Sequence, residues 1–427
     1  MDSFDAEIRV FPADIQGNPL KFGLVCWPSM QLACEAVDYL YDLAMQGAKW
    51  RYQRNIAYSL SHYLTYCLNR DPVIDFRRAT ATDLCAYRDA MLNSVSAKTG
   101  EQLAPSTVAL RVRAVTTFYE AGIGAGWNYT ALDLAAARIM PTFEDEIHLV
   151  EAEAINKASA LFAPRGERTE TDIRPLDPDG LDRLLMSLGP PPNDDSGVRP
   201  LRDRLVAEWL VFTGMRITEA LGGQDVDQTP NTPGLRAHAI SALVADPDTP
   251  FDHVGLKIRG KFGKVRTIAV PMWLVMRTQG YIRDARAEAA RKSNIKSPML
   301  FLAGNNGSAL RVRMYQKIFA RACEAAGLTR LVVRTLPESA ETRLVHVARH
   351  SPHGLRHTYA VSTYFSLTAQ GSTEPWKLIQ AQLGHKLMQT TVDTYLAWVS
   401  AHSTWGKAFH RATSVRQRAG IEVPHEQ

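Results

Sequence analysis

The sequence predicts a mainly α-helical protein of two domains, with a small antiparallel β-sheet in the second. Three observations carry this. Apolar residues recur at i, i+3 and i+4 through most of the chain. One stretch, from Val254 to Val270, instead alternates apolar with basic residues around a Gly260-x-x-Gly263 turn, the pattern of a β-hairpin. The length, 427 residues, exceeds what a single core usually organises. Hydrophobic content of 45% and charged content of 22% are those of a globular protein and exclude a disordered one. A net charge of +5, with a pI near 8.9, permits a nucleic-acid partner without requiring one.

Cys26, Cys34, Cys67, Cys85 and Cys323 are odd in number, widely spaced and lack a Cys-x-x-Cys pair. This argues against a disulfide framework or zinc site and for a reducing compartment. The acidic start, Met1-Asp-Ser-Phe-Asp-Ala-Glu, has no signal-peptide core, and no apolar run approaches the roughly 18 residues of a membrane span. The expectation is a soluble, cytoplasmic protein without a membrane partner.

In chain order, residues 1–28 read as an N-terminal arm or strand pair punctuated by Pro12, Gly17, Pro19 and Gly23. A helical pattern begins near Ser29 and carries Leu32, Ala36, Leu40 and Leu43. A second helix is expected from Trp50 to Leu68. A third is capped by Thr82, and a fourth by Ser106 or Thr107 after Pro105. These make a helical domain over residues 29–165. Arg51, Arg54, Arg111 and Arg113 cluster on its helices and suit a module that grips phosphates. The run from Gly122 to Trp127 follows a helix and not a strand, so it reads as a helix stop. A linker follows to about residue 175, with the acidic run Glu144-Asp145-Glu146.

The second domain covers residues 176–427, with a tail from about 400. The run Asp177-Pro-Asp-Gly180 opens it with a capped helix, and an apolar helix over residues 201–212 ends at Thr213-Gly-Met-Arg216. Residues 225–253, rich in Pro, Asp and Thr, form an unusually long connection to the hairpin. Lys257, Arg259, Lys261, Lys264 and Arg266 crowd that hairpin, and their mutual repulsion calls for an anion such as a DNA groove beside them. Helical stretches follow at 275–291 and 313–326, then a basic, irregular, lengthened segment over residues 329–349.

The closing stretch concentrates reactive residues: His353-Gly-Leu-Arg356, Gly384-His385 and Tyr395. Tyrosine is a weak nucleophile, with an ordinary pKa of about 10. It becomes useful beside a phosphodiester held by arginines, with a lysine to protonate the leaving oxygen and histidines to handle the phenol's proton. His353 and Arg356, three apart, share one helix face. His357 does not face with His353 and Arg356 and reads as packing or as support behind them. His346 and Arg349 repeat the spacing without the helix that follows His353. Tyr359 lies in an apolar helix and reads as core.

With these residues in place, the sequence closely resembles the tyrosine recombinase (phage integrase) family. The resemblance covers roughly residues 175–410. It rests on Thr213-Gly-Met-Arg216, Gly260-Lys261, His353-Gly-Leu-Arg356, Leu383-Gly-His385 and Tyr395. The first domain matches more loosely, in the run from Pro105 to Tyr119. The resemblance implies a helical core-binding domain and a mixed α+β catalytic domain forming a C-shaped clamp on DNA. It implies that Tyr395 attacks the scissile phosphate and forms a 3′-phosphotyrosyl link that needs no ATP. Arg216 and Arg356 clamp the phosphate, Lys261 is the general acid with Lys264 as its rival, and His353 is the general base. His385 donates to the phosphate and Glu219 buttresses the site. No metal or cofactor is implied. The partners implied are duplex DNA with specific sites and a homo-tetramer on DNA, a dimer per site, with room for accessory proteins. In cells this gives nucleoid association when DNA is bound. The tail pattern Ala401, Trp405, Phe409 suits docking into a neighbouring protomer. A type IB topoisomerase-like relaxer and a catalytically inactive DNA-binding protein remain the alternatives.

Overall fold

The computed structural model describes residues 9–14, 21–96, 100–127, 173–191, 201–223, 233–244, 246–249, 252–260, 263–294, 296–335 and 341–402. The expected linker over 141–172, Lys261 and the tail with Trp405 and Phe409 lie outside the described residues. Two compact units emerge, one of residues 1–167 with 333–343 and one of residues 168–332 with 344–427. Both are mainly helical, with two-stranded antiparallel sheets. Among the described residues no helix is long and apolar enough to cross a membrane.

In the first unit, β1 (Arg9–Asp14) pairs antiparallel with β2 (Lys21–Cys26). Four helices follow: α1 (Cys34–Met45), α2 (Trp50–Leu68), α3 (Ala81–Leu92) and α4 (Pro105–Gly124). Their apolar stripes meet in one core, where Leu40, Leu60, Tyr63, Tyr87, Phe118 and Tyr119 are fully buried. Tyr119 donates to the Phe76 carbonyl at 2.7 Å, so the 2.7 Å contact between the Tyr63 and Tyr119 oxygens has Tyr63 as donor. Each buried hydroxyl thereby keeps a partner.

Two helix starts differ from the expected ones. Thr80, not Thr82, caps α3: its backbone is extended and it exchanges hydrogen bonds with Asp83, the N3 residue (2.8 and 3.3 Å). α4 begins at Pro105 with Ala104 as cap, because proline at N1 presets φ and removes an amide that would have had no partner.

The second unit opens with α5 (Pro178–Leu188), capped by Asp177 accepting from the Gly180 amide at 2.5 Å. α6 (Leu201–Thr213) is buried along most of its length, including Asp203, Arg204 and Glu208. There Glu208 Oε1 accepts from Arg204 (2.8 Å) and from Arg277 (2.6 Å). α7 (Ile217–Leu221) and α8 (Ala237–Ser241) lead to the hairpin β3 (His253–Arg259) and β4 (Val265–Pro271). α8 lies within the stretch expected to be a loop. Leu235 and Ile240 enter the core, and the Leu235 amide and carbonyl bond to Ala220 and Leu300, so this part of 225–253 is built into the domain.

The single helix expected over 275–291 is two, α9 (Met272–Arg283) and α10 (Ala285–Arg291), broken at Asp284, whose backbone leaves the helical region. α11 (Val312–Ala325) precedes the segment expected to be irregular. That segment pairs as β5 (Thr329–Thr335) and β6 (Thr342–Ala348), consistent with its β-branched content. The unit closes with α12 (Pro352–Ala369), α13 (Pro375–Leu383) and α14 (Met388–Ala401).

Glu208 is the only anion facing Arg204 and Arg277 in their buried pocket among the described residues. Its replacement by alanine leaves two buried guanidiniums side by side. Glu208→Ala is expected to cost about 3–5 kcal/mol in a urea unfolding titration, with no change in secondary structure at zero urea.

Candidate active site

The site grows from the turn between α6 and α7. Gly214 turns the chain at φ +66°, and a Cβ there would fall 2.5 Å from the Tyr359 ring. Only glycine meets both demands. Arg216 follows as the cap residue of α7, and Glu219 stands three residues on. The Glu219 carboxylate has no exposed surface. It accepts from the Arg216 amide (2.7 Å), the Arg216 guanidinium (3.2 Å) and both terminal nitrogens of Arg266 (2.7 and 2.8 Å). Burial alone would raise its pKa, but Arg266 and Arg216 together outweigh that and hold it below the ordinary carboxylate range.

Arg266 is on β4, so this fork ties the hairpin to α7. Its Nε donates to the Gln382 carbonyl at 3.0 Å, at the end of α13. Glycine backbones flank it: a Cβ at Gly260 would meet Glu219 Oε1 at 2.8 Å, and one at Gly384 would meet Arg266 Cδ at 2.7 Å. The hairpin turn therefore departs beside the Glu219 carboxylate. The buried Gln382 amide adds a second tie. It bonds the Thr213 carbonyl (3.0 Å) and both the amide and carbonyl of Ala269 (2.9 Å each). Those are the backbone groups of β4 that face away from β3.

Arg356 on α12 is 2% exposed, yet among the described residues no carboxylate pairs with it. It donates to the Gly214 carbonyl (2.6 Å), the Leu383 carbonyl (2.7 Å) and His385 Nε2 (3.2 Å). Burial, then Arg216, lowers its pKa to about 9, so it stays charged at neutral pH. Arginine only donates, so His385 Nε2 accepts and its proton sits on Nδ1, which reaches Thr391 Oγ1 at 2.8 Å. Burial and the surrounding arginines push His385 down to about 4.

Tyr395 on α14 is 1% exposed, and burial lifts its phenol to about 12 against the opposing pull of Arg356 and Arg216. Its oxygen lies 3.2 Å from His357 Nδ1. His353 stands one turn earlier on α12, its ring edge-on to His357 with centroids 4.6 Å apart, and is lowered by desolvation, Arg356 and Arg216.

Of the residues the sequence singled out, Arg216, Glu219, His353, Arg356, His385 and Tyr395 come together in the second unit, and Lys261 lies outside the described residues. Lys257, Arg259 and Lys264 are exposed on the hairpin. Arg266 corrects the expectation of a DNA-facing side chain, since its guanidinium is spent on Glu219. The strand pairing puts Arg266 opposite Ile258 on the inward face, the parity of Ile268 and Val270. In the first unit Arg51 and Arg113 are exposed and Arg54 and Arg111 half-buried. His357, read as packing, touches the tyrosine. The signal for it was its position four residues after His353, which puts those two rings on one face.

Tyr395, Arg216, Arg356 and three histidines thus gather on a helical unit that also carries a basic hairpin. The relatives that match this chain are named tyrosine recombinases, which break and rejoin DNA strands through a tyrosine. No family model matches this chain. Tyrosine recombinase XerD of Mycobacterium tuberculosis is 29% identical over 283 residues, 61% of this chain and 75% of the relative. XerD of Mycobacterium leprae is 30% identical over 232 residues, 54% of this chain and 58% of the relative. Among solved structures, the XerH site-specific recombinase bound to palindromic difH substrate, a post-cleavage complex, has a TM-score of 0.48. It is 18% identical, covering 87% of this chain and 85% of that one.

Arg266→Ala and Lys257→Ala separate the inward from the outward cation. The first is expected to destabilise the protein by about 3 kcal/mol or more in urea, because it leaves Glu219 buried beside a single guanidinium. The second leaves stability unchanged but flattens the salt dependence of DNA binding by about one unit of log–log slope.

Glu219→Gln tests the carboxylate's charge. A pKa lowered in the folded state stabilises above the unfolded value of about 4.3 and loses that contribution as pH falls through the folded value. The stability gap between wild type and Glu219→Gln should therefore be widest near neutrality and narrow below about pH 4.

Proposed function

We propose that this protein is a site-specific DNA recombinase in which Tyr395 cleaves one strand and leaves a 3′-phosphotyrosyl link and a free 5′-hydroxyl. A partner strand's hydroxyl then attacks that link, passing through a Holliday junction. The observation that carries this reading is the gathering of Arg216, Arg356, His353 and His385 around Tyr395, with Arg356 buried and unpaired by any carboxylate among the described residues. A site with excess buried positive charge is completed by an anion, and a phosphodiester moving to a pentavalent state supplies one.

In this mechanism Arg216 and Arg356 hold the non-bridging oxygens, and Lys261 protonates the leaving 5′-oxygen from the turn that departs beside Glu219. His353 receives the phenol's proton. His385 turns its Nε2 from Arg356 to the phosphate and donates there once protonated at that nitrogen. The link stores the energy of the broken bond, so religation draws on no ATP. Tyr395 is buried, so α14 has to shift for its oxygen to reach a phosphate. Lys257, Arg259 and Lys264, with Arg51, Arg54, Arg111 and Arg113, contact the DNA backbone. Two copies occupy each site and four form the synapse. The working place is DNA in the cytoplasm.

The test is to incubate the full chain with sheared genomic DNA of its source organism, denature with detergent and sequence whatever remains linked to protein. Discrete sites are expected with wild type, none with Tyr395→Phe, and an adduct rate about 100-fold lower with Arg356→Lys, which cannot fork onto a phosphate. Relaxation of any plasmid irrespective of sequence would favour a topoisomerase-like relaxer. No adduct on any DNA would leave a DNA-binding protein without chemistry.

A further inference from the structure

The site's histidines are not equivalent around the tyrosine. His385 has both ring nitrogens engaged, one by Arg356 and one by Thr391. Among the described residues no hydrogen bond joins His353 to Tyr395. His357 alone reaches the phenolic oxygen, with Nδ1 at 3.2 Å and the two rings edge-on at 5.6 Å between centroids. α12 fixes it from one side, packed against His353, and α14 presents the phenol from the other.

We propose that His357 is the residue that orients the Tyr395 hydroxyl for attack, its neutral Nδ1 accepting the phenol's hydrogen bond so that an oxygen lone pair is free to face the phosphate. This deepens the recombinase reading and rests on Tyr395 being the nucleophile. The direction of the bond follows from the partners: a phenol is the better donor and an imidazole nitrogen the better acceptor. The groups facing His357 are His353 and Arg356 from its own helix, His385 from the end of α13 and Tyr395 from α14. Burial, then these neighbours, push it down to about 3, so it stays neutral wherever the enzyme works. A ring that reluctant to hold a proton does not store the phenol's proton during cleavage. It aims the oxygen, and the proton passes to His353 in the proposed mechanism. His357 is thus a positioning residue.

Two experiments test it, one without DNA. With histidines selectively labelled with nitrogen-15 in the full chain, His357 is expected as the neutral Nε2–H tautomer down to about pH 5. Its Nδ1 resonance should move in Tyr395→Phe. A charged His357 at pH 6, or a resonance unmoved by Tyr395→Phe, overturns the proposal.

The second uses the duplex recovered by sequencing the covalent adduct, nicked to trap cleavage. His357→Ala is expected to bind it normally and form adduct about 100-fold more slowly. His357→Asn, whose amide oxygen can occupy the Nδ1 position, recovers at least half of that loss on a logarithmic scale and guards against misfolding. A bridging 5′-phosphorothiolate, which leaves without a proton, should rescue Lys261→Ala but not His357→Ala. Rescue of His357→Ala by the thiolate, cleavage as fast as wild type, or no recovery in His357→Asn overturns the proposal. If wild type forms no adduct at all, the recombinase reading fails and the resonance measurement still decides the hydrogen bond.

Discussion

The buried carboxylate of Glu219 is the fixed point of the second unit's site. A lone carboxylate without exposed surface is costly, and this one is compensated by a backbone amide and two guanidiniums. The compensation dictates geometry. Arg266 can reach it only if β4 lies against α7, and Arg266 Nε then secures the end of α13. Arg216 gives up one guanidinium nitrogen to Glu219 and keeps a third of its side chain exposed. Three elements distant in sequence are thus drawn to one charge, and the hairpin turn that carries Lys261 starts beside it.

A second constraint follows from the surplus of cations. Arg356 is enclosed by carbonyl oxygens and one histidine nitrogen, and among the described residues no carboxylate is hydrogen-bonded to it. Burial first, and then the same positive field, keep His353, His357 and His385 neutral, and that field works against the burial that raises Tyr395. In the proposed mechanism an arriving phosphate offsets the arginines' effect on the histidines and so eases protonation of His385 and acceptance of a proton by His353.

Much of this was legible in the sequence because it is local. Arg216 and Glu219 at i, i+3, His353 and Arg356 at the same interval, and the Gly384-His385 pair are short patterns, and helices carry them without help from distant residues. The alternation from Val254 to Val270 likewise gave the hairpin. Counting charge on that hairpin misled, since strand parity assigns Arg266 to the face of Ile268 and Val270 and not to that of Lys257. His357 reads in the sequence as facing away from both His353 and Arg356, although four residues of helix return it to the face of His353. Gln382 carried no signal at all: its value lies in reaching Thr213 and Ala269, which only the tertiary structure brings within hydrogen-bond distance.

The placement of Tyr395 ties these constraints to control. Its hydroxyl is enclosed, bonded to a neutral histidine and lifted to about 12, so at neutral pH it is neither exposed nor ionised. In the proposed mechanism the activating arginines are held by α7, α12 and the end of α13, whereas the tyrosine rides on α14, which begins after the short stretch Lys386–Leu387 and is linked to the cluster by the bond between His385 and Thr391. Under that reading a partner that moves α14 changes the reach of the tyrosine, while the Glu219–Arg266 pairing, which involves no residue of α14, stays in place.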